Sequence, residues 1–135
     1  MYEHLIIYSD GGARGNPGPA GIGAVITDAA GKTLATVSKY LGRATNNQAE
    51  YQAILAGLDQ AHKLGAKAVT CYLDSELVVK QLNREYRVKN KELESWFVKI
   101  YNLSLKFSKV KFHHIPREKN TVADKLANEA MDKKA

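Results

Sequence analysis

The first third of the chain consists of short apolar segments separated by turns. Strands are predicted at His4–Ser9, Gly21–Thr27 and Thr33–Leu41, where β-branched and other apolar residues recur between polar ones. A Gly/Pro-rich turn over Gly11–Pro19 joins the first two strands, and Ala29-Ala30-Gly31 turns into the third. Connections this short favour an antiparallel meander.

Helical periodicity begins after this meander. A helix is predicted over Asn46–Leu64, because the four residues from Thr45 to Gln48 have the Ser/Thr-x-x-Gln form of a capping box. A fourth strand is predicted at Ala68–Leu73, followed by a short helix at Glu76–Leu82.

The rest of the chain repeats the change from helix to strand to helix. After a polar connection over Asn83–Lys91, apolar residues at three- and four-residue spacing form one stripe of a long helix, which we assign to the core: Leu93, Trp96, Phe97, Ile100, Leu103 and Phe107. A strand at Val110–Ile115, a loop at Pro116–Asn120 and a helix from Thr121 to about Lys133 complete the chain. The predicted architecture is a mixed sheet flanked by helices.

Length and composition indicate one soluble unit. The 135 residues fit a single domain, which we expect to span residues 1–135. The one cysteine, Cys71, lies in a predicted strand, so a disulfide within the chain is excluded and a buried thiol is expected. No apolar run approaches the roughly 18 residues of a membrane span, and no signal-peptide pattern is present. We therefore expect a cytoplasmic protein, a monomer without membrane contact.

The positive charge of the chain is concentrated in one region. The net charge is +6, and residues 80–119 hold eleven Lys and Arg against four Glu, whereas the remaining residues hold nine basic against ten acidic side chains. This imbalance fits either a polyanionic partner or a solvated lysine-rich face. Charge alone leaves both interpretations open.

Four acidic residues lie where an apolar strand stops or a helix begins. Asp10 and Asp74 each end a predicted strand, so parallel neighbours would bring both carboxylates to one edge of the sheet. Glu50 lies in the opening turn of its helix on the apolar face, where a carboxylate is costly unless it is paired or metal-bound. Asp124 lies in the first turn of the last helix. Each has a simpler explanation as a turn, cap or dipole residue, but the four together predict a shared site for a hard divalent ion.

These acids sit in motifs that follow one another in a recognisable order. The motifs are Asp10-Gly-Gly-Ala-Arg-Gly-Asn-Pro-Gly-Pro, Thr45-Asn-Asn-Gln-Ala-Glu50, Leu73-Asp-Ser-Glu and Asn120-Thr-Val-Ala-Asp124. Together they resemble the type 1 ribonuclease H family over essentially the whole chain. The resemblance implies an α/β, ribonuclease H-like fold with a five-stranded mixed sheet in the order 3-2-1-4-5, flanked by helices. It also implies cleavage of the RNA strand of an RNA/DNA hybrid.

By the same resemblance, the catalytic residues are Asp10, Glu50, Asp74 and Asp124, which bind two Mg²⁺ ions, with Mn²⁺ as the alternative metal. With two hard cations about 4 Å apart, one activates a water for in-line attack on the phosphodiester and the other stabilises the departing 3′ oxygen. The expected products carry 5′-phosphate and 3′-hydroxyl ends. No covalent intermediate is required.

The resemblance also implies residues that contact the hybrid. Asn16, Asn46 and Asn47, with the backbone at Gly11 and Gly12, match positions that contact the minor groove and the 2′-hydroxyl, the group that distinguishes RNA from DNA. The alternative for Asn16 is formation of the Gly-Asn-Pro-Gly turn, and both roles are compatible.

A second set of positions is implied to hold the DNA strand. Thr45 resembles the family residue that helps to bind a DNA phosphate, and Arg43 and Asn90 assist it. The structural alternative for Thr45 is the helix cap, which uses the same geometry as phosphate binding at a helix start.

Two features depart from the bacterial pattern of the family. The connection between Leu82 and Glu92 is too short for the additional basic helix and loop, so the chain resembles the compact variants without that protrusion. His114 stands ten residues before Asp124, as the family's mobile histidine would, but it falls in a predicted strand. Arg117, at the start of the following loop, is the rival for that role.

Two other functions are left open by the residues. A related nuclease acting on branched DNA would place its acids similarly, and a noncatalytic module would bind the hybrid without cutting it. The presence of all four acids argues against the second. Double-stranded RNA stays open as a further substrate.

Overall fold

The computed structural model describes residues 2–134, which form a five-stranded sheet with helices on both faces. The elements, in chain order, are β1 (Tyr2–Ala13), β2 (Gly18–Asp28), β3 (Thr33–Ala44), α1 (Asn46–Lys63), β4 (Ala66–Leu73), α2 (Glu76–Leu82), α3 (Lys91–Ser104), β5 (Lys109–His114), a 3-10 turn (Arg117–Lys119) and α4 (Thr121–Lys133).

The strand order is β3-β2-β1-β4-β5, which confirms the predicted mixed sheet. β1 pairs antiparallel with β2 and parallel with β4, and β4 pairs parallel with β5. The meander therefore occupies one half of the sheet, and the strands that follow α1 and α3 occupy the other half.

One face of the sheet packs against α1 to form the main core. Leu5 and Ile7 of β1 and Cys71 of β4 are fully buried there against Tyr51 and Ile54 of α1. Because side chains alternate along a strand, the intervening residues of β1 and β4 point to the opposite face. The position of Cys71 confirms the expectation of a buried thiol.

The apolar stripe of α3 is core, as expected, although one member lies beyond the helix. Leu93 and Ile100 are buried, and Trp96, Phe97 and Leu103 pack against the core from partly exposed positions. Phe107 is buried as well, but it lies after the helix ends at Ser104.

The predicted end of β1 was wrong. β1 continues through Asp10 to Ala13, because Gly11 and Gly12 pair with β2 and do not form a turn. The parallel pairing with β4 nevertheless stops at Ser9, so Asp10 lies where β1 leaves β4 while remaining beside β2. The turn itself is confined to residues 14–17.

Among residues 2–134, no helix has both the length and the apolar character needed to cross a lipid bilayer.

Candidate active site

Three carboxylates converge where β1 separates from β4. One oxygen from each of Asp10, Glu50 and Asp74 lies within 4.8 Å of the other two. Ser9 and Leu73 form the last β1–β4 pair, so Asp10 and Asp74 are the first residues beyond that pairing on adjacent strands. The sheet register therefore brings together two acids that are far apart in sequence.

Glu50 reaches this point because α1 begins almost in contact with β1. A Cβ atom placed on Gly11 would lie 2.2 Å from the carbonyl oxygen of Ala49, a separation that no side chain tolerates. The glycine lets the backbone of α1 approach the strand, and Glu50 follows immediately, 7% exposed, beside Asp10.

Asp124 is brought to the site by α4, which packs on the other face of the sheet. A Cβ atom on Gly23, the β2 partner of Asp10, would lie 2.2 Å from the carbonyl oxygen of Ala123. Asp124 lines a cavity of 310 Å³ together with the other three acids. It lies outside the group of three whose oxygens are mutually within 4.8 Å.

The pKa values of Asp10 and Glu50 are raised because both groups are buried beside other carboxylates. Burial, followed by the charge of Asp74 and a hydrogen bond to Asp124, raises the pKa of Asp10 from 3.8 to about 7. The pKa of Glu50 lies well above its ordinary value, first through burial and then through the charges of Asp10 and Asp74. Such a cluster is stable in its ionised form only with a neutralising cation.

The oxygen atoms of this cluster fit a hard divalent metal ion. The Glu50 Oε2 atom is buried and has no hydrogen-bond partner among the described residues. A buried carboxylate oxygen without a donor is costly, and coordination to a cation would satisfy it. All-oxygen ligands from carboxylates are those that Mg²⁺ and similar ions prefer.

Asn120 is a site residue to which sequence reasoning gave no role. Its side-chain Nδ2 donates to the Ser9 carbonyl at 2.9 Å and to Asp74 Oδ2 at 3.2 Å, and the residue is 2% exposed. It thus joins the end of the β1–β4 pairing to the start of α4. The available signal was an asparagine directly before a helix and four residues before Asp124.

Beside the acids, two of the predicted asparagines form a bonded row. Asn46 Oδ1 accepts from the Ala13 amide at 2.8 Å, and Asn16 Oδ1 accepts from the Asn46 amide at 3.0 Å. The amide oxygens are thereby occupied, which leaves each side-chain NH₂ group to face a ligand. Gly11, Gly12 and Asn46 line the same cavity as the acids.

A second cavity, of 200 Å³, lies between the starts of α1 and α3. It is lined by seven residues: Asn16, Thr45, Asn47, Gln48, Asn90, Glu92 and Leu93. The capping box is confirmed, since Thr45 Oγ1 accepts from the Gln48 amide and Gln48 Oε1 accepts from the Thr45 amide. Asn90 caps α3, and the Gln48 side chain donates to Glu92 across the gap.

The remaining predicted residues are placed differently. Arg43 is exposed near the end of β3 and lines neither of these cavities. His114 is the last residue of β5, as the sequence indicated, and it does not line the acid cavity. Arg117 does line it, so the structure brings the arginine and not the histidine to the acids.

The connection before α3 is short and rich in aromatic and cationic contacts. Residues 83–90 contain no helix, in agreement with a compact variant. Lys80 lies over the Tyr86 ring at 5.0 Å, and Arg84 lies over Tyr101 at 5.0 Å. These contacts hold the basic side chains against the protein surface.

The sheet is mixed, has the strand order 3-2-1-4-5 and carries carboxylates where β1 and β4 separate. These features define a ribonuclease H-like domain. A family described as reverse transcriptase-like matches residues 8–130. Ribonuclease HI of Halobacterium salinarum is 42% identical over 125 residues, covering 93% of this chain and 63% of that protein. A bifunctional protein of Mycobacterium tuberculosis is 47% identical over 129 residues, covering 95% of this chain and 35% of that protein.

Solved structures agree closely with this fold. The N-terminal RNase H domain of the Mycobacterium tuberculosis protein has a TM-score of 0.94 at 46% identity, covering 96% of this chain and 99% of that one. An RNase H1 named LC11, in complex with an RNA/DNA hybrid, has a TM-score of 0.92 at 49% identity, covering 96% and 98%. The chain belongs to the ribonuclease H family. It spans less than two thirds of the length of the two relatives compared by sequence.

Proposed function

We propose that this chain hydrolyses the RNA strand of RNA/DNA hybrids and leaves 5′-phosphate and 3′-hydroxyl ends. The observation that carries the proposal is the acid cluster, with its unpartnered Glu50 oxygen, in one cavity with Asn46, whose backbone amide donates to Asn16. One side of the cavity can therefore hold metal ions, and the other can contact a sugar. A similar RNase H1 is known in complex with such a hybrid.

The catalytic residues of the proposal are Asp10, Glu50, Asp74 and Asp124, which hold two Mg²⁺ ions, with Mn²⁺ as the alternative. When bound, the metal ions supply activation of a water and stabilisation of the departing 3′ oxygen. Asn120 keeps Asp74 oriented by its hydrogen bond to Oδ2. Asn128 does the same for Asp124, since its Nδ2 donates to Asp124 Oδ1 at 3.3 Å.

We propose that the row of amides formed by Asn16 and Asn46 selects the RNA strand. The free NH₂ groups of Asn16 and Asn46, together with Asn47 and the backbone at Gly11 and Gly12, would donate to sugar and base oxygens in the minor groove. The 2′-hydroxyl both donates and accepts, so an amide row next to the acids favours a ribose at the cleavage position.

The cavity between α1 and α3 is proposed to bind a phosphate of the DNA strand. The Thr45 hydroxyl accepts from the Gln48 amide, and its own hydrogen can be donated to a phosphate oxygen. The Asn90 NH₂ group lies across the same cavity, and Arg43 would approach a bound strand from its exposed position. Arg117, at the acid cavity, is proposed to contact the phosphate of the cleaved strand.

The proposal describes a monomer that acts in the cytoplasm, a reducing compartment that suits an unpaired thiol such as Cys71. Double-stranded RNA is its second candidate substrate, because both strands of that duplex offer 2′-hydroxyls.

The test is a cleavage assay on end-labelled RNA/DNA hybrid, double-stranded RNA and double-stranded DNA, with Mg²⁺, with Mn²⁺ and with a chelator. The wild type should cut the hybrid only when a metal is present. Asp10→Asn should bind the hybrid with little change in affinity and scarcely cut it, because it removes a ligand charge and keeps the side-chain volume. Asp59→Asn, at a half-exposed ion pair with Lys63 on α1, is the matched control and should cut normally.

Each contrary result has a definite meaning. Binding of the hybrid without cleavage in any metal would identify a noncatalytic binding module. Cleavage of branched DNA in preference to the hybrid would identify a different nuclease. Full activity of Asp10→Asn would remove Asp10 from the mechanism.

A further inference from the structure

The face of the sheet opposite α1 is only partly covered by helix. α4 packs over β2 and β3 and reaches β1, but within residues 2–134 it makes no extensive contact with β4 or β5. The alternation of side chains places Tyr8 and Asp10 of β1 on this face, with Tyr72 of β4 and His113 of β5. We call the part formed by β1, β4 and β5 the open face.

Three aromatic rings form a row across the open face. Tyr8, Tyr72 and His113 are neighbours in the strand register. The Tyr8 and Tyr72 rings stack with centroids 5.2 Å apart, and the His113 ring lies 5.7 Å from Tyr72. His113 is exposed at the edge strand, so a flat ligand can reach the row from that end.

The other end of the row borders a cavity. On the side of Tyr8 away from Tyr72, a cavity of 270 Å³ is bounded by β1, β2 and the start of α4. Val25 and Val122 give it apolar walls, Thr27 offers a hydroxyl, and Lys119 supplies a positive charge. An aromatic wall, apolar sides and a nearby cation suit a nucleobase with its phosphate.

The charge of the open face also suits a polyanion. Lys109 and Lys111 lie exposed on β5 on the same face as His113. The acids that these three strands bring to the face are Asp10 and Asp74, both at the active-site end. The aromatic row lies two residues before each of them, about 7 Å along the strand. One extended nucleotide can bridge that distance.

We propose that the open face binds single-stranded RNA that continues from the hybrid, with one unpaired base stacked on Tyr8 in the adjoining cavity. The inference rests on the proposed function, because the bound strand is the one that passes the acids. Stacking on a side chain requires an unpaired base, since the bases of a duplex stack on one another. The preferred substrate is thus a hybrid next to a single-stranded RNA extension.

The experiment compares the binding of a blunt hybrid with that of hybrids whose RNA strand extends, at the 5′ or the 3′ end, by about six unpaired nucleotides, within the usual site size. Fluorescence anisotropy on the Asp10→Asn background measures affinity without cleavage. We expect one of the two RNA-extended hybrids to bind roughly tenfold more tightly than the blunt hybrid, because one stacked base contributes about this much to affinity. A hybrid with an extension on the DNA strand should bind like the blunt one.

Three substitutions each remove a different side chain of the open face. The gain is the affinity for the RNA-extended hybrid divided by the affinity for the blunt hybrid. Tyr8→Leu should reduce this gain to near one. His113→Ala and Lys111→Ala should each reduce it while leaving the affinity for the blunt hybrid unchanged. Both His113 and Lys111 are exposed, so these two variants carry the test if Tyr8→Leu does not fold. Tyr101→Leu on α3 and Lys63→Ala on α1 are the matched controls and should keep the full gain.

Three results would overturn the inference. They are equal affinity for blunt and RNA-extended hybrids, an equal gain from a DNA extension, and a gain that survives both Lys111→Ala and His113→Ala. The cleavage assay with wild-type protein separates this inference from the proposed function. If the blunt hybrid is cut and the extension does not increase affinity, only the inference fails. If no hybrid is cut with any metal, the proposed function fails.

Discussion

At the scale of single residues, Asp10 and Glu50 are carboxylates held out of water and close to one another. Their pKa values are raised because burial and neighbouring charges both disfavour ionisation. The folded protein without metal therefore stores unfavourable electrostatic energy at neutral pH, and a cation would release it. Stability and metal binding should be linked through these two groups.

The first prediction concerns the pH dependence of stability without metal. The folded Asp10 keeps its proton up to a pKa of about 7, whereas in the unfolded chain it loses the proton near its ordinary value of 3.8. The folded state binds more protons between these values, so this group makes stability fall as pH rises from about 4 to about 7. The raised pKa of Glu50 acts in the same direction.

The measurement is thermal unfolding of wild type and Asp10→Asn in a chelator at several pH values. The melting temperature of the variant minus that of the wild type should increase from pH 5 to pH 8. Adding Mg²⁺ at pH 8 should stabilise the wild type more than it does at pH 5, and more than it stabilises the variant. A difference that stays constant with pH would contradict the raised pKa of Asp10.

The second prediction concerns Asn120, which donates two hydrogen bonds at the junction of β1, β4 and α4. Asn120→Ala should cost about 1–3 kcal/mol of unfolding free energy, because buried partners lose their donor. It should also lower hybrid cleavage, since Asp74 loses its orienting bond. Asn83→Ala, which removes a 3.0 Å bond to the Phe112 carbonyl away from the site, is the control. Equal loss of activity in both variants would argue against a role for Asn120 in orienting Asp74.

At the scale of elements, the site depends on how closely two helices approach the sheet. The start of α1 touches β1 at Gly11, and the start of α4 touches β2 at Gly23. Asp124 lies in the first turn of α4 and Glu50 directly after the first turn of α1, so each contact sets the position of a carboxylate. The bond between Arg14 and Asp132, at 2.7 Å, joins the β1–β2 turn to the far end of α4.

The third prediction uses adjacent glycines as a matched pair. Gly11→Ala would place a methyl group 2.2 Å from the Ala49 carbonyl, whereas Gly12→Ala would meet its nearest atom, Asn46 Oδ1, at 3.8 Å. Gly11→Ala should therefore destabilise the fold by about 1–3 kcal/mol or more and displace Glu50. Gly12→Ala should unfold like the wild type. Thermal unfolding decides between them, and equal stability of the two variants would show that α1 can shift freely.

Prediction from sequence at this scale succeeded where the signal is local. The capping box at Thr45 and the core residues of α3 follow from neighbours a few positions away. The end of β1 was missed because Gly11 and Gly12 are ordinary turn residues by composition. Their pairing with β2 depends on a strand that begins only after the turn.

At the scale of the whole molecule, basic charge and acidic site are separated along the chain. Residues 80–119 carry eleven Lys and Arg against four Glu, whereas the acid cluster is built mainly from other segments. The proposed substrate would therefore meet basic side chains from residues 80–119 and carboxylates from other segments of the chain. Because the chain belongs to the ribonuclease H family, we favour a polyanionic partner over a solvated lysine-rich face as the explanation of this basic charge.

The fourth prediction concerns the salt dependence of hybrid binding. If the connection before α3 contacts phosphates, Arg87→Ala and Lys89→Ala should each lower the slope of log affinity against log salt by about 0.7 to 0.9, the value for one released contact. Lys63→Ala, on the far end of α1, should leave the slope unchanged. Binding measured by anisotropy over a range of salt concentrations checks this. Unchanged slopes in both arginine and lysine variants would place the phosphate contacts elsewhere.

The sequence by itself predicted the order of the elements, the fold class and the four candidate acids. Periodicity, caps and turns are set by residues within a few positions of one another, and each acid stood out because its local setting did not suit packing. The motif order then related the chain to its family. These inferences needed no knowledge of which strands are neighbours.

Only the tertiary structure decided which side chains meet. The register that ends at Ser9 and Leu73 brings Asp10 to Asp74, two glycines admit the helices that carry Glu50 and Asp124, and Asn120 ties these elements together. The same sheet order brought Arg117 to the acids and formed the aromatic row of the open face. Such contacts join residues far apart along the chain, and they depend on the summed packing of the whole core, which local sequence patterns do not record.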